Sequence, residues 1–189
     1  MKWSHTKSSK TICPCKISNF ASIIKMEENF PKRKTNRLIE YDYSQNGAYF
    51  VTICAHDKQC IFGEIAGGAG NARPQMILSE IGCIVDKVIN KISSIYDAVS
   101  VDKYVIMPNH VHLLIMINDC GRPMAAPTIS TIVNQFKGYI TKVVGARIAR
   151  PLWQKLFYDH IIRNQNDYAK IWEYIDTNPD KWHEDKYFL

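Results

Sequence analysis

Two histidines stand at the start of an otherwise apolar segment, MPNHVHLLI, residues 107–115. Alternate side chains of a β-strand project to the same face, so His110 and His112 are expected to point together. Each neutral imidazole can offer one nitrogen to a shared divalent cation. The alternative is a pair of core histidines whose nitrogens are satisfied by hydrogen bonds, because a buried polar group without a partner costs stability. Taken alone, the pair leaves both interpretations open.

A second pair, Tyr174 and Asn178, lies at the end of the last predicted helix. At about 100° per residue the two are only about 40° apart on the helix surface. Tyr174 lies on the flank of the predicted apolar face, and Tyr168 lies in its middle. That apolar face consists of Tyr168, Ile171, Trp172 and Ile175. This places a flanking tyrosine beside an amide that could reach a metal, but an ordinary amphipathic helix with a tyrosine on its flank shows the same pattern.

The pattern of apolar residues predicts the elements that position these side chains. β-Branched and aromatic runs predict strands at residues 48–55, 101–107, 110–117 and 156–162, and a hairpin formed by 60–65 and 75–80. Apolar residues at three- and four-residue spacing predict helices at residues 81–95, 128–144 and 167–177. The glycines between the hairpin strands lack the closing Gly-Lys-Ser/Thr of a phosphate-binding loop, so we interpret them as a turn.

Without the hairpin, this order is close to β-α-β-β-α-β. It predicts an α+β fold of the ferredoxin-like (RRM-like) type, an antiparallel sheet with helices on one face. The hairpin is an insertion, and an extra C-terminal helix carries Tyr174. RNA-recognition domains share this arrangement, so the fold alone does not decide the function.

Length and composition are those of a single globular domain with an appended tail. The 189 residues are 46% hydrophobic, and no apolar run approaches the roughly 20 residues that span a membrane. Residues 1–35 lack a sustained apolar period and are predicted to form a flexible basic extension, which leaves residues 36–189 as the domain. The N-terminus lacks the apolar core of a signal peptide, so a cytoplasmic location is expected. The role of residues 1–25 stays open.

The charge balance and the cysteines say little about the partners or the metal sites of the chain. The chain has 24 Lys and Arg against 18 Asp and Glu, a net charge of +6, which favours phosphate-bearing partners only slightly. Six cysteines show no disulfide framework, and Cys13 and Cys15 lack further ligands for a zinc site. Cys54 and Cys83 are predicted to act as small hydrophobes in a strand and a helix.

The segment MPNHVHLLI, followed by a helix ending in EYIDTNPDKW, resembles the REP-associated tyrosine transposases. These belong to the single-tyrosine branch of the HUH endonucleases, in which U is a bulky apolar residue. Further similar segments are YDYSQNGAYFVTICAHDKQCIFGEI, NQFKGYITK and LWQKLFYDHIIRNQNDY. The resemblance runs from about Arg37 to Trp182.

The resemblance implies a role for each matching residue. His110 and His112 are the implied ligands of a divalent metal ion, Mg²⁺ or Mn²⁺, and Asn178 helps to complete that site. Tyr174 is the implied nucleophile, which cleaves single-stranded DNA beside a hairpin through a 5′-phosphotyrosine intermediate. His160 matches a recurring family position whose role, structural or catalytic, stays open.

The implied partner is single-stranded DNA with hairpin or palindromic structure, bound by a monomer or a homodimer at the nucleoid. The candidate phosphate contacts are Arg33, Lys34, Arg37, Lys137 and Arg163. Alternatively, these charges belong to a solvent-exposed face and a basic tail that bind no DNA. For the function, the alternatives are a non-catalytic nucleic-acid-binding module on the same fold and an insertion-sequence transposase.

Overall fold

The computed structural model of the protein describes residues 45–67, 73–118, 127–145 and 151–188. The predicted N-terminal extension, residues 1–35, lies outside these ranges. So do three of the candidate DNA contacts, namely Arg33, Lys34 and Arg37. Among the described residues, no helix is both long and apolar enough to cross a bilayer.

A four-stranded antiparallel sheet forms the centre of the fold, with the strand order β4-β5-β1-β6. A separate two-stranded hairpin, β2-β3, follows the first strand. The strands are β1 (Gly47–Cys54), β2 (Gly63–Ala66), β3 (Gln75–Leu78), β4 (Val99–Ile106), β5 (His110–Ile117) and β6 (Tyr158–Ile162). The strand that carries the histidine pair is therefore an inner strand, flanked by β4 and β1.

In the described ranges, four α-helices accompany the sheet, and the last one leads into a 3₁₀ helix. They are α1 (Glu80–Ile89), α2 (Ile92–Ile95), α3 (Ile129–Val144), α4 (Gln165–Thr177) and the 3₁₀ helix Pro179–Glu184. The three longer helices each begin at a residue whose side chain accepts a hydrogen bond from the first turn. These N-cap residues are Ser79, Thr128 and Asn164.

The main core lies between one face of the sheet and helices α1 and α3. Its buried members include Val51, Ile53, Leu113 and Ile115 from the strands and Val85, Val88, Ile132, Phe136 and Ile140 from the helices. Because side chains alternate along a strand, the neighbours of these strand residues face the other side of the sheet. There, Phe50 and Leu114 pack against Ile175 of α4 in a second, smaller cluster. Helix α4 thus covers the sheet face that carries His110 and His112.

The predicted fold class is confirmed, and so is most of the predicted element order. The helix predicted over residues 81–95 is wrong as a single element. It ends at Asn90, whose side chain donates to the carbonyl oxygen of Asp86, and a separate short helix follows. Cys83 is exposed rather than a buried hydrophobe, whereas Cys54 is buried as expected.

Trp172 was assigned to the apolar face of the last helix, and this assignment is wrong. Its side chain is 40% exposed. The ammonium group of Lys103 on the edge strand β4 lies 4.5 Å from the centre of its ring. The helix faces the sheet mainly through Ile175, so Trp172 falls beyond the sheet edge, where a cation contacts its ring.

Candidate active site

A strip of polar side chains crosses the sheet face beneath α4. His112 is paired in register with Thr52, and Thr52 is paired with Tyr158 on the next strand. His110 and His160 lie two residues from His112 and Tyr158 on their own strands, so they project to the same face. The sheet register therefore gathers side chains from three strands that are far apart in the sequence.

The two histidine rings point one nitrogen at each other. The Nε2 atoms of His110 and His112 are 3.0 Å apart, and the residues are 0% and 1% exposed. Nδ1 of His110 lies 2.8 Å from Oδ1 of Asn109, and Nδ1 of His112 lies 2.8 Å from Oγ1 of Thr52. A neighbouring side chain thus holds each ring through its Nδ1 atom. The two Nε2 atoms face each other across a small space.

The hydrogen bonds around Asn109 settle the tautomer of His110. Nδ2 of Asn109 donates to the carbonyl oxygen of Tyr187, so its Oδ1 faces His110 and can only accept. Nδ1 of His110 therefore carries the proton, and Nε2 presents a lone pair toward His112. Thr52 can donate to or accept from Nδ1 of His112, so it permits the same state in the second ring. Outer hydrogen bonds of this kind orient histidines that bind metals.

Both histidines are neutral at neutral pH. Burial lowers the pKa of His110 to about 4. Burial, followed by the neighbouring His110, lowers the pKa of His112 well below its ordinary value. Neutral imidazole is the form that binds a cation, so the environment maintains the ligand-competent state.

A carboxylate and an amide complete the set of possible metal ligands. Asp185 places an oxygen so that it and the two histidine nitrogens all lie within 4.8 Å of one another. Oδ2 of Asp185 accepts from Nδ2 of Asn178 at 3.2 Å, and Oδ1 accepts from the backbone N–H of Tyr187 at 2.7 Å. Oδ1 of Asn178 is buried and has no hydrogen-bond partner within the described part of the chain. An unpaired buried acceptor is costly, and a cation bound among these groups would satisfy it.

This donor set fits a divalent cation. Two imidazole nitrogens with carboxylate and amide oxygens suit ions such as Mn²⁺, and the oxygens suit Mg²⁺. The four side chains come from the inner strand β5, the end of α4 and the segment after it. His110, His112, Asn178 and Asp185 could therefore hold one ion together.

Tyr174 lies beside this cluster. Its hydroxyl oxygen is 3.4 Å from Nε2 of His112, and its ring packs edge-on against Phe50 and His112. The residue is 38% exposed, so the hydroxyl is reachable from solvent. Burial, followed by the negative charge of Asp185, raises the pKa of Tyr174 to about 12. The hydroxyl is therefore protonated at neutral pH and needs an acceptor for its proton before it can attack.

The other tyrosine of this helix has a different environment. The hydroxyl of Tyr168 donates to Oδ2 of Asp102 at 2.8 Å, and its ring stacks on Trp172. It is not among the residues that line the cavity beside Tyr174. Of the two tyrosines compared in the sequence, the structure brings Tyr174 to the histidines.

Asp185 and Thr52 were missed by sequence reasoning. Asp185 follows a kinked 3₁₀ helix, Pro179–Glu184, in which no repeating pattern relates it to Asn178. Thr52 stands in a strand of ordinary composition, and only the register of β1 against β5 places it beside His112. The sole signal for Asp185 was an acidic residue a few positions beyond the predicted site.

Lys137 requires a correction, because it was expected to contact DNA. It is only 8% exposed, and its ammonium group donates to the carbonyl oxygens of Gln154 and Leu156 at 2.8 and 3.2 Å. Burial lowers its pKa to about 8. The lysine ties α3 to the segment that leads into β6, so its charge is not available to a phosphate. Arg163, in contrast, is exposed immediately after β6.

The chain matches known proteins in sequence and in fold. Residues 69–178, more than half of the chain, match the family described as "Transposase IS200 like". An uncharacterized protein of Haemophilus influenzae (strain Rd) is 33% identical over 174 residues, which cover 83% of this chain and 93% of the relative.

The solved structures similar to this chain include two transposases. A REP-associated tyrosine transposase bound to a REP hairpin is 20% identical, with a TM-score of 0.57 over 79% of this chain and 76% of that one. A putative transposase from Deinococcus radiodurans R1 is 15% identical, with a TM-score of 0.43 over 75% and 95% of the two chains. The match over residues 69–178 shows that the chain belongs to the IS200-like transposase family.

Proposed function

We propose that the protein is a metal-dependent single-strand DNA endonuclease and strand transferase that uses Tyr174 as its nucleophile. The observation that carries the proposal is the 3.4 Å distance from the Tyr174 hydroxyl to Nε2 of His112, one of two buried, neutral histidines that face each other. A nucleophile beside a set of metal donors, with the carboxylate of Asp185 near it, matches the needs of phosphodiester cleavage.

The residues of this chain divide the work as follows. The oxygen of Tyr174 attacks phosphorus and forms a tyrosyl–phosphate bond, while the bond from phosphorus to the 3′ oxygen breaks. The proton of Tyr174 passes to Asp185, whose negative charge lies close enough to raise the pKa of that hydroxyl, and the departing 3′ oxygen takes up a proton. The strand stays attached through its 5′ phosphate, and a second 3′-hydroxyl can reverse the step and join a new strand.

His110, His112 and Asn178 would hold a divalent cation, Mg²⁺ or Mn²⁺, with Asp185 also in reach. A cation bound there supplies charge that polarises the non-bridging oxygens of the scissile phosphate. The histidines contribute neutral nitrogens, and Asn109 and Thr52 orient them. Asn178 contributes the buried oxygen that otherwise lacks a partner.

The proposed substrate is single-stranded DNA next to a hairpin, such as a repeated extragenic palindrome. A fold neighbour has been solved with a REP hairpin bound, which supports this choice of partner. Arg163 is exposed immediately after β6, and we keep it as a proposed phosphate contact together with Arg33, Lys34 and Arg37 of the basic cluster ahead of β1. We assign the activity to a domain of residues 36–189, acting as a monomer or homodimer at the nucleoid in the cytoplasm.

The proposal is tested with a 3′-labelled single strand that carries a hairpin, incubated with the protein and Mn²⁺ or Mg²⁺. The labelled 3′ fragment should become covalently attached to the protein and migrate with it on a denaturing gel. The adduct should disappear on protease treatment and in excess chelator. A cleaved strand whose fragments never attach to the protein would show hydrolysis without a tyrosine intermediate and contradict the proposal.

A further inference from the structure

A cavity of about 480 Å³ opens beside Tyr174. Tyr158 and His160 of β6 line it on the sheet side, and Asp167 and Ile171 line it on the helix side. The helix residues Asp167, Ile171, Tyr174 and Asn178 are spaced by four, three and four positions, so they share one face of α4. The cavity has the size of a small-molecule binding site and continues directly from the proposed nucleophile.

A histidine–carboxylate hydrogen bond in the cavity wall has no role in the chemistry proposed above. Nε2 of His160 lies 2.9 Å from Oδ2 of Asp167, and both side chains are partly exposed, at 42% and 30%. The imidazole N–H donates to one carboxylate oxygen and fixes the carboxylate in place. The second oxygen can therefore accept a hydrogen bond from a ligand in the cavity.

The remaining walls suit a nucleotide. Phe50 and Ile171 are apolar, and the ring of Tyr158 is 46% exposed, so a flat base can pack against apolar and aromatic surface. Lys181 and Lys186 line the same cavity, and the ammonium group of Lys186 is 5.4 Å from the ring of Tyr158. These two cations can contact the phosphates on either side of the bound base.

We propose that this cavity binds the base next to the scissile phosphate and that Asp167, held by His160, selects cytosine over thymine. The inference rests on the proposed function, since it places the base relative to Tyr174. A carboxylate only accepts hydrogen bonds, so it matches the exocyclic amino group of cytosine. Thymine presents a carbonyl oxygen at the same position, and two facing acceptors would each lose a hydrogen bond with water.

The first test measures cleavage. A hairpin-bearing single strand with randomised nucleotides flanking the hairpin identifies the cleavage point by sequencing of the protein-bound fragments. Defined strands with cytosine or thymine at each position flanking that point are then compared by kcat/KM. We expect cytosine to be preferred about 10-fold on one side, and the preference to fall to about twofold or less in Asp167→Asn.

A matched control separates base selection from helix stability. Glu173→Gln removes the same charge from the same helix but lies outside the cavity, so it should keep the cytosine preference. A purely structural role of Asp167 would slow both substrates equally and leave their ratio unchanged. An unchanged ratio in Asp167→Asn, or equal cleavage of the two strands by the unaltered protein, overturns the inference while the proposed function stands.

The second test needs no cleavage, so it distinguishes failure of the inference from failure of the proposed function. Binding of dCMP and dTMP is followed by NMR through the signals of Tyr158 and His160. We expect dCMP to bind about 10-fold more tightly than dTMP, and Asp167→Asn to abolish the difference. Equal binding of the two nucleotides by the unaltered protein overturns the inference. If no strand is cleaved but dCMP is selected, the cavity remains a base-selective site and the proposed reaction is wrong.

Discussion

The hydroxyl oxygen of Tyr174 lies 3.4 Å from Nε2 of His112, although 62 positions separate the two residues in the sequence. Helix α4 brings the tyrosine to the sheet face that carries the histidine pair, and Ile175 anchors that helix against Phe50 and Leu114. The contact distinguishes Tyr174 from the other tyrosines near the site, and this distinction can be tested by mutation.

Tyr174→Phe should abolish the covalent protein–DNA adduct while leaving the fold intact. The change removes one hydroxyl from a partly exposed position, so the free energy of unfolding should change by no more than about 1 kcal/mol. The adduct is measured on a denaturing gel, and stability is measured by urea unfolding.

Two matched variants control for the choice of tyrosine. Tyr168→Phe removes a hydroxyl that donates to Asp102, and Tyr187→Phe removes one from a ring 4.5 Å from that of His110. Both should still form the adduct. If Tyr174→Phe formed the adduct and either control variant did not, the assignment of Tyr174 as the nucleophile would be wrong.

The metal site makes a separate prediction. His112→Ala removes one of the two facing nitrogens, so Mn²⁺ binding measured by calorimetry should be lost together with cleavage. Hairpin binding should persist, because phosphate and base contacts carry it. Asp185→Asn keeps the shape of the side chain but removes its charge, and we expect it to weaken Mn²⁺ binding by about 10-fold or more. Unaltered Mn²⁺ binding by both variants would place the ion elsewhere.

The sequence could predict those site residues whose spacing matches the side-chain period of a single strand or helix. His110 and His112 are two apart in a strand, and Tyr174 and Asn178 are four apart in a helix, so each pair shares a face whatever the rest of the fold does. The contacts of each pair with residues distant in the sequence depend on tertiary structure. Thr52 meets His112 only through strand register.

Asp185 and Lys137 show two further reasons why the position of a side chain could not be predicted from the sequence. Asp185 lies beyond a 3₁₀ helix with a kink at Lys181, and an irregular path carries no side-chain period. Lys137 stands off the apolar stripe of α3, where a surface position was expected. The carbonyl oxygens of Gln154 and Leu156 come from a segment distant in sequence and make its burial possible.

The corrected role of Lys137 predicts a stability effect without a DNA-binding effect. Lys137→Met would leave the carbonyl oxygens of Gln154 and Leu156 without their donor, at a cost of about 1–3 kcal/mol in the free energy of unfolding. Hairpin affinity at fixed salt should change little. Arg163→Ala should do the reverse, with unaltered stability, weaker binding and a salt slope reduced by about one. A steep loss of hairpin affinity in stable Lys137→Met would restore the lysine as a DNA contact.

The buried histidines also predict how stability depends on pH in the metal-free protein. His110 has a pKa of about 4 in the folded state and about 6.5 when unfolded. As the pH falls below 6.5, His110 binds a proton in the unfolded chain but stays unprotonated in the folded protein. The free energy of unfolding therefore decreases until about pH 4. Between pH 7.5 and 5.5 the expected loss from His110 is about 1 kcal/mol. His112 shifts in the same direction and adds to it.

The measurement is urea unfolding in chelator at pH 7.5 and 5.5, a range that lies above the usual titration of carboxylates. His110→Gln cannot titrate, so its stability should fall by a smaller amount over the same range, and the remaining loss should come mainly from His112. Gln can still donate to Asn109, which limits other effects of the change. If the unaltered protein were equally stable at the two pH values, the histidines would not be held neutral by burial, and the ligand-ready state inferred from their environment would be wrong.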